Sequence, residues 1–323
     1  MEDYFSNIDE QINNITSTPF ENKKFKVKLK KEQPRKITIT SKPKVNYIKL
    51  NKEDINKIKK NTLGKELIKF RKKLYRNFKS ENLNLLNTNI KTLKIKIKYI
   101  APETLLSKFT SGEYKLKANK IKLINSFKDK SINHELFHMA TSFYIKKLKL
   151  GFCGFQQINY LKNDAIGRGL NEGYTELLTK RYFNKQIEYK SYSYEICTFF
   201  AAKLEEIIGR EQMEKFYINA DLYGLYMYLL NFDNGSNIVT FIATLDYILV
   251  KVLFSNSKNY EDVFQLIECY LAKWFIIKKK QELENNIISK ETFDYEVTNY
   301  INSLGNKDLK LENHVKQKEY CLK

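Results

Sequence analysis

Histidine is scarce in this chain, three in 323 residues, and so is cysteine, four. The cysteines stand at 153, 197, 269 and 321 and form no Cys-x-x-Cys pair. That spacing excludes a zinc ribbon and a dithiol redox motif, and it argues against the disulfide framework of a small secreted domain. A reduced, cytoplasmic setting is the expectation. There is no long apolar run either. The most apolar stretch, NIVTFIATLDYILVKVLF (237–254), is interrupted by Asp246 and Lys251, so it reads as a buried helix rather than a membrane span. The opening MEDYFSNIDEQ is acidic and lacks the apolar segment of a secretory signal. No internal repeat, helix-turn-helix pattern or aromatic RNA-binding signature is found.

What the chain has in abundance is lysine, and the formal net charge is +20. Charge alone would admit nucleic acid or an anionic membrane as a partner. Lysine is, however, plentiful together with Asn and Ile along the whole chain, the pattern of an A+T-rich coding sequence, and no nucleic-acid motif accompanies it. Hydrophobic residues make up 42%, with 22 Tyr and 21 Phe, which is a globular composition. The length allows a sizeable core.

Five regions are expected. Residues 1–50 form a basic, weakly structured arm containing Pro34 and Pro43. Residues 51–90 are helical: Ile55, Ile58, Leu67, Phe70, Leu74 and Phe78 recur at helical spacing, with Gly64 as a break and NLNLLNTN (82–89) as a connection. Residues 91–185 form the core. In KTLKIKIKYI (91–100) the alternation of Leu93, Ile95, Ile97 and Tyr99 against lysines predicts a half-buried strand. SGEYKLKANKIKLINSF (111–127) reads as strand, turn, strand or as one long bent strand, with 120–126 expected as an edge strand beside the helix after it. Helices are expected at 171–183, 192–208, 210–219, 221–231, 236–254, 260–284 and 290–303, the last six forming a helical subdomain within 186–305. Residues 306–323 are a polar tail. Strands first and helices after is an α+β order.

Two of the three histidines lie in INHELFHMAT (132–141). With so few histidines, chance predicts only about 0.002 matches to His-acid-x-x-His in a chain of this composition. Residues four apart on an α-helix share a face, so His134 and His138 can aim their rings at one ion. Glu135 lies roughly 100° around the helix, beside such an ion, where a carboxylate can take a proton from metal-bound water. Asp129 or Ser131 would cap this helix. Ile132, Leu136, Met139 and Phe143 would form its apolar stripe. Lys146, Lys147 and Lys149 would suit its negative end, and Gly151 would terminate it. The plainer alternative is two histidines satisfied by hydrogen bonds in a core.

A catalytic zinc needs a third protein ligand and leaves a position for water. His314 sits in the polar tail, so a carboxylate is expected. GLNEGYTELLTKRY (169–182) supplies Glu172 and Glu176, four apart on one helical face, with Asn171 as N-cap. Glu172 can bind the metal, and Glu176 can accept the far ring N–H of a ligating histidine. Gly173 would clear space beside the ligand. A solvated acidic helix start is the alternative.

HELFH and LNEGYTE together resemble the gluzincin metallopeptidases. The first is similar to their zinc-binding helix, the second to the Asn-Glu-Gly segment of the aminopeptidase branch. The resemblance covers residues 91–183. It implies a zincin-like fold, a small twisted sheet over the HExxH helix followed by helices, and one catalytic Zn2+ held by His134, His138 and Glu172. It also implies Glu135 as general base and acid, Glu176 behind the ligands, and a peptide or protein as substrate. The chain departs from the family in three respects. Glu172 lies 34 positions after His138, a longer gap than in the aminopeptidase branch or in the thermolysin-like branch, whose ExxxD spacing the ExxxE here is similar to, and the Gly-rich insert GFCGFQQINYLKNDAIGRG (151–169) is expected as a hairpin or flap. The Gly-x-Met-Glu-Asn segment is missing, and no downstream histidine can serve the oxyanion, so a tyrosine is expected there, with Tyr160, Tyr223 and Tyr226 as candidates. Besides a zinc peptidase, two readings stand: a binding or toxin-like module whose zinc sphere is closed by Glu176 or Cys153, and a nucleic-acid-associated basic protein.

Overall fold

Alternation of apolar and charged residues places the first strands, and helical spacing places the helices on either side of them. The computed structural model describes residues 39–41, 50–60, 63–78, 83–98, 112–124, 128–183, 192–251 and 260–305. The expected basic arm before residue 39, the polar tail after 305 and His314 lie outside these. The chain divides into two compact units. The first comprises Ile39–Tyr228 with Leu245–Ser255, and the described residues of the second are 229–244 and 260–305.

The first unit opens with helices α1 (Lys52–Lys59), α2 (Gly64–Asn77) and α3 (Asn84–Thr92). Helix α3 replaces the connection expected at 82–89. Its asparagines lower helix propensity, but Leu85, Leu86 and Ile90 are buried, and that burial decides the conformation.

Strands β1 (Lys94–Lys98), β2 (Gly112–Lys115) and β3 (Lys120–Ile124) form a sheet in the order β1-β3-β2, β1 parallel and β2 antiparallel to β3. Of the strand expected at the edge, 120–126, the described residues 120–124 are therefore central and paired on both sides; 125 and 126 lie outside the described residues. The physical reason is burial: Ile121 and Leu123 are enclosed, as a middle strand requires. Among the described residues the antiparallel edge is β2.

The HELFH motif lies on α4 (Lys128–Ala140), which ends well before Lys149. Asp129 and Ser131 fall inside the helix rather than at its cap. The helix stops where Asn89 of α3 bridges its last turn to the strand that follows: Asn89 Nδ2 donates to Met139 O at 2.7 Å and to Ser142 O at 2.5 Å. The chain then enters an antiparallel meander, β4 (Ser142–Ile145), β5 (Leu150–Cys153), β6 (Gln156–Asn159) and β7 (Asp164–Ile166), in sequential order. Lys146, Lys147 and Lys149 thus belong to a turn and Gly151 to a strand. The Gly-rich insert is strands and turns, closest to the hairpin expectation.

Helices α5 (Arg168–Phe183), α6 (Tyr192–Ile208), α7 (Arg210–Ile218) and α8 (Leu222–Leu229) come next. The helices on either side of the strands belong to the same unit as the strands, with Phe137, Tyr174, Phe200, Leu204 and Tyr217 in its buried core. Helix α9 (Gly235–Lys251) counts with the second unit up to Thr244 and with the first from Leu245. In the second unit α10 (Tyr260–Glu284) and α11 (Lys290–Leu304) enclose Ile276 and Phe293, and Trp274 donates its indole N–H to Asp233 at 3.0 Å. The mix of sheets and helices is α+β. Among the described residues no helix is long and apolar enough to cross a membrane. Cys153, Cys197 and Cys269 are free thiols.

Candidate metal centre

Helices α4 and α5 carry the site, and each is fixed by contacts remote in sequence. The start of α5 is capped from α9: Asp246 accepts the N–H of Gly167 at 2.8 Å and of Gly169 at 2.6 Å. The charge that interrupts the apolar stretch therefore holds the helix bearing Glu172. Asn171 is not the N-cap, since the helix begins at Arg168. Its buried side chain instead accepts the Phe155 N–H at 3.1 Å through Oδ1, with Nδ2 at 3.2 Å from His138 Nδ1. Gly173 does not clear space at the ligand either. It lies against α6, where a Cβ would stand 2.3 Å from the Cys197 carbonyl oxygen.

Burial pushes the Asp246 carboxyl up to about 7, against the opposing pull of the Gly169 and Gly167 N–H groups. The folded chain thus holds a proton here that the unfolded chain has released between about pH 4 and 7. Stability contributed at this position is full below about pH 4, falls as pH rises through about 7, and is flat above it. Urea unfolding at about pH 5 and about pH 7.5 should show a larger loss for the wild type than for Asp246→Asn; equal losses would refute this.

At the centre, His134 Nε2 and His138 Nε2 lie 3.0 Å apart, and Glu172 Oε2 lies 3.1 Å from the first and 3.2 Å from the second. Three electron-pair donors this close repel unless a cation or a shared proton sits among them. Ligand atoms of a tetrahedral zinc with bonds of about 2.0–2.1 Å are about 3.3 Å apart, so the triangle fits one face of such a sphere. These three residues are also the one group of metal-ligating type found among the described residues.

The far sides of the rings are engaged as well. His134 Nδ1 lies 3.4 Å from Glu176 Oε2. With the oxygen of Asn171 held by Phe155, the acceptor beside His138 Nδ1 is Cys153 Sγ, at 3.6 Å. Burial lowers the affinity of both histidines for protons, but the neighbouring acceptors outweigh it. Glu172 and Glu176 raise His134 to about 9, and Glu172 and Cys153 hold His138 well above its ordinary value. Glu172 is pushed up by burial yet ends well below the usual carboxylate range because both histidines face it.

Glu135 is buried beside this triangle and is not part of it. Burial raises its pKa, while His134 and His138 and the backbone N–H of Tyr114 oppose the rise. Strand β2 passes so close that a Cβ on Gly112 would lie 2.9 Å from Glu135 Cγ. Only glycine permits that approach.

Tyr194, on the first turn of α6, escaped the sequence reading. Its ring lies 6.1 Å from that of His134, and its phenol is held protonated, well above the ordinary value, by burial and then by Glu172 and Glu135. Nothing local in YSYE distinguishes it among 22 tyrosines. Of the three tyrosines named from the sequence, Tyr160 stands in the turn after β6, at the opposite end of that strand from Cys153, and Tyr223 and Tyr226 face each other at 6.4 Å on α8. Comparison of the chain with family models, with curated proteins and with solved structures returns no match.

Proposed function

We propose that this chain is a zinc metallopeptidase of gluzincin type with a zincin-like core, cleaving peptide bonds in a protein or peptide substrate. The observation that carries the reading is the triangle of His134, His138 and Glu172 with a further buried carboxylate, Glu135, beside it and outside it. When bound, zinc would polarise a peptide carbonyl and lower the pKa of a water toward about 7.

The chain's own groups supply the rest. Glu135, with its raised pKa and its carboxylate oriented by the Tyr114 N–H, takes a proton and returns it to the leaving amine. Glu176 acts through His134, holding the ring with Nε2 toward the metal. Tyr194, its ring 6.1 Å from that of His134, remains a phenol donor at neutral pH and would stabilise the developing oxyanion. Because the Tyr114 N–H points away from β3, the backbone groups of Gly112, two residues earlier on the same strand, point the same way. An extended peptide would pair with this edge of β2.

The closed-sphere alternative is disfavoured by geometry. Glu176 lies behind the His134 ring and Cys153 behind the His138 ring, both at Nδ1, so neither completes a sphere centred on the Nε2 atoms. Three ligands leave a position open, as catalytic zinc sites do.

The test is elemental analysis of the purified chain. About one zinc per chain is expected, lost in His138→Ala. Metal content unaffected by His138→Ala would overturn the assignment.

A further inference from the structure

We infer that the tip of the β4–β7 meander docks on an anionic lipid surface. The inference rests on a surface away from the metal-ligand triangle and does not depend on the peptidase reading. Strand pairing brings the β4–β5 turn (146–149) and the β6–β7 turn (160–163) to one end of the sheet: Leu150 pairs with Asn159, and the Tyr160 N–H donates to the Lys149 carbonyl at 2.9 Å. The other end carries Cys153 and Phe155, beside His138 and Asn171.

Each of the two turns presents a leucine to water. Leu148 is 53% exposed and Leu161 73%. Turns ordinarily carry Gly, Asn, Asp or Ser at such places, and adjoining exposed leucines mark an interaction surface. The turns are built. The Lys149 N–H donates to Lys146 O at 3.4 Å, and the Asn159 side chain accepts the N–H groups of Leu161 and Lys162 at 3.0 and 3.1 Å. Tyr160, the first residue of the second turn, is tied to the first by its N–H and stands edge-on to Tyr144 at 5.5 Å, with the Lys117 ammonium 5.9 Å from its ring centre.

Charge identifies the partner. Lys146, Lys147 and Lys149 surround Leu148, and Lys162 follows Leu161, whereas the one acid in 146–149 and 160–164 is Asp164. Leucines at the apex, a tyrosine behind them and lysines around them match the depth profile of a bilayer interface: acyl boundary, headgroup level, phosphates. Nucleic acid would engage the lysines and leave both leucines in water, and an acidic protein surface would offer them no acyl chains to enter.

The test uses the full chain with phosphatidylcholine vesicles prepared with and without phosphatidylserine. A net charge of +20 draws the whole molecule to any anionic surface, so the readout must come from the leucines. Leu161→Trp is the reporter, and the native Trp274 is fully buried and gives a constant background. The reporter's emission should shift to the blue and be quenched by brominated acyl chains, with phosphatidylserine vesicles only. The charge-neutral pair Leu148→Ser with Leu161→Ser should lower partitioning by at least about tenfold, with the circular dichroism of the wild type. Partitioning that is unchanged by the serines, or a reporter indole that neither shifts nor is quenched, would overturn the inference. Loss of binding on charge reversal at Lys146 and Lys147 alone, with the serines without effect, would make the tip a polyanion contact and equally overturn lipid insertion.

Discussion

Glu135→Gln is expected to leave zinc binding at the wild-type level and to slow peptide hydrolysis by roughly 10²–10⁴-fold. Glutamine keeps the shape and can still accept the Tyr114 N–H through its amide oxygen, so the edge of β2 should hold its place. What it lacks is a group that can take and return a proton. Because Glu135 stands outside the ligand triangle, metal content and catalysis should separate cleanly in this variant. The measurement is the rate on any peptide the wild type cleaves, together with zinc per chain. A variant as fast as wild type would remove Glu135 from the mechanism. A wild type that cleaves nothing in a broad peptide library would remove the peptidase reading itself while leaving the proposal of a metal centre standing.

The two glutamates of α5 should fail differently. Glu172 places an oxygen within 3.2 Å of both Nε2 atoms, so Glu172→Ala removes one of three ligands and should abolish stable zinc binding. Glu176 meets the back of the His134 ring, at 3.4 Å from Nδ1. Glu176→Ala should retain zinc at about 10–100-fold lower affinity, the usual cost of losing a partner behind a ligand. Competition with a chelator of known affinity measures both. The reverse ranking would exchange their roles.

The residues proposed as ligands were legible because their chemistry repeats at helical spacing within a few residues. His134, His138, Glu172 and Glu176 all needed only the four-residue period and two helices that meet. The helices from 192 onward were legible for the same reason, and their observed ends lie within about three residues of the expected ones wherever they are described. What escaped is set by partners distant in sequence. Helix α4 ends at Ala140 where Asn89, some fifty residues earlier, takes the Met139 carbonyl and that of Ser142 just beyond the helix. Helix α5 starts at Arg168 because Asp246, nearly eighty residues later, caps it. Strand order within the sheet is a matter of pairing, which alternation does not encode: the pattern around 120–124 established a strand, and only the packing placed it in the middle. Tyr194 reaches the site solely because α6 packs along α5.

That packing has a consequence for how the protein can vary. Glu172 stands between Gly169 and Gly173, and each glycine presses its backbone on another main chain: a Cβ at 169 would meet the Leu245 carbonyl at 2.2 Å, and one at 173 the Cys197 carbonyl at 2.3 Å. Every other amino acid brings that carbon, so no coding change at either position is silent in space. The usual remedy, a compensating trim of a neighbouring side chain, is closed as well, because the obstructing atoms are peptide groups that all residues share. Drift can rewrite the surface of α5 freely, but the two positions that set where the carboxylate stands have a single admissible letter.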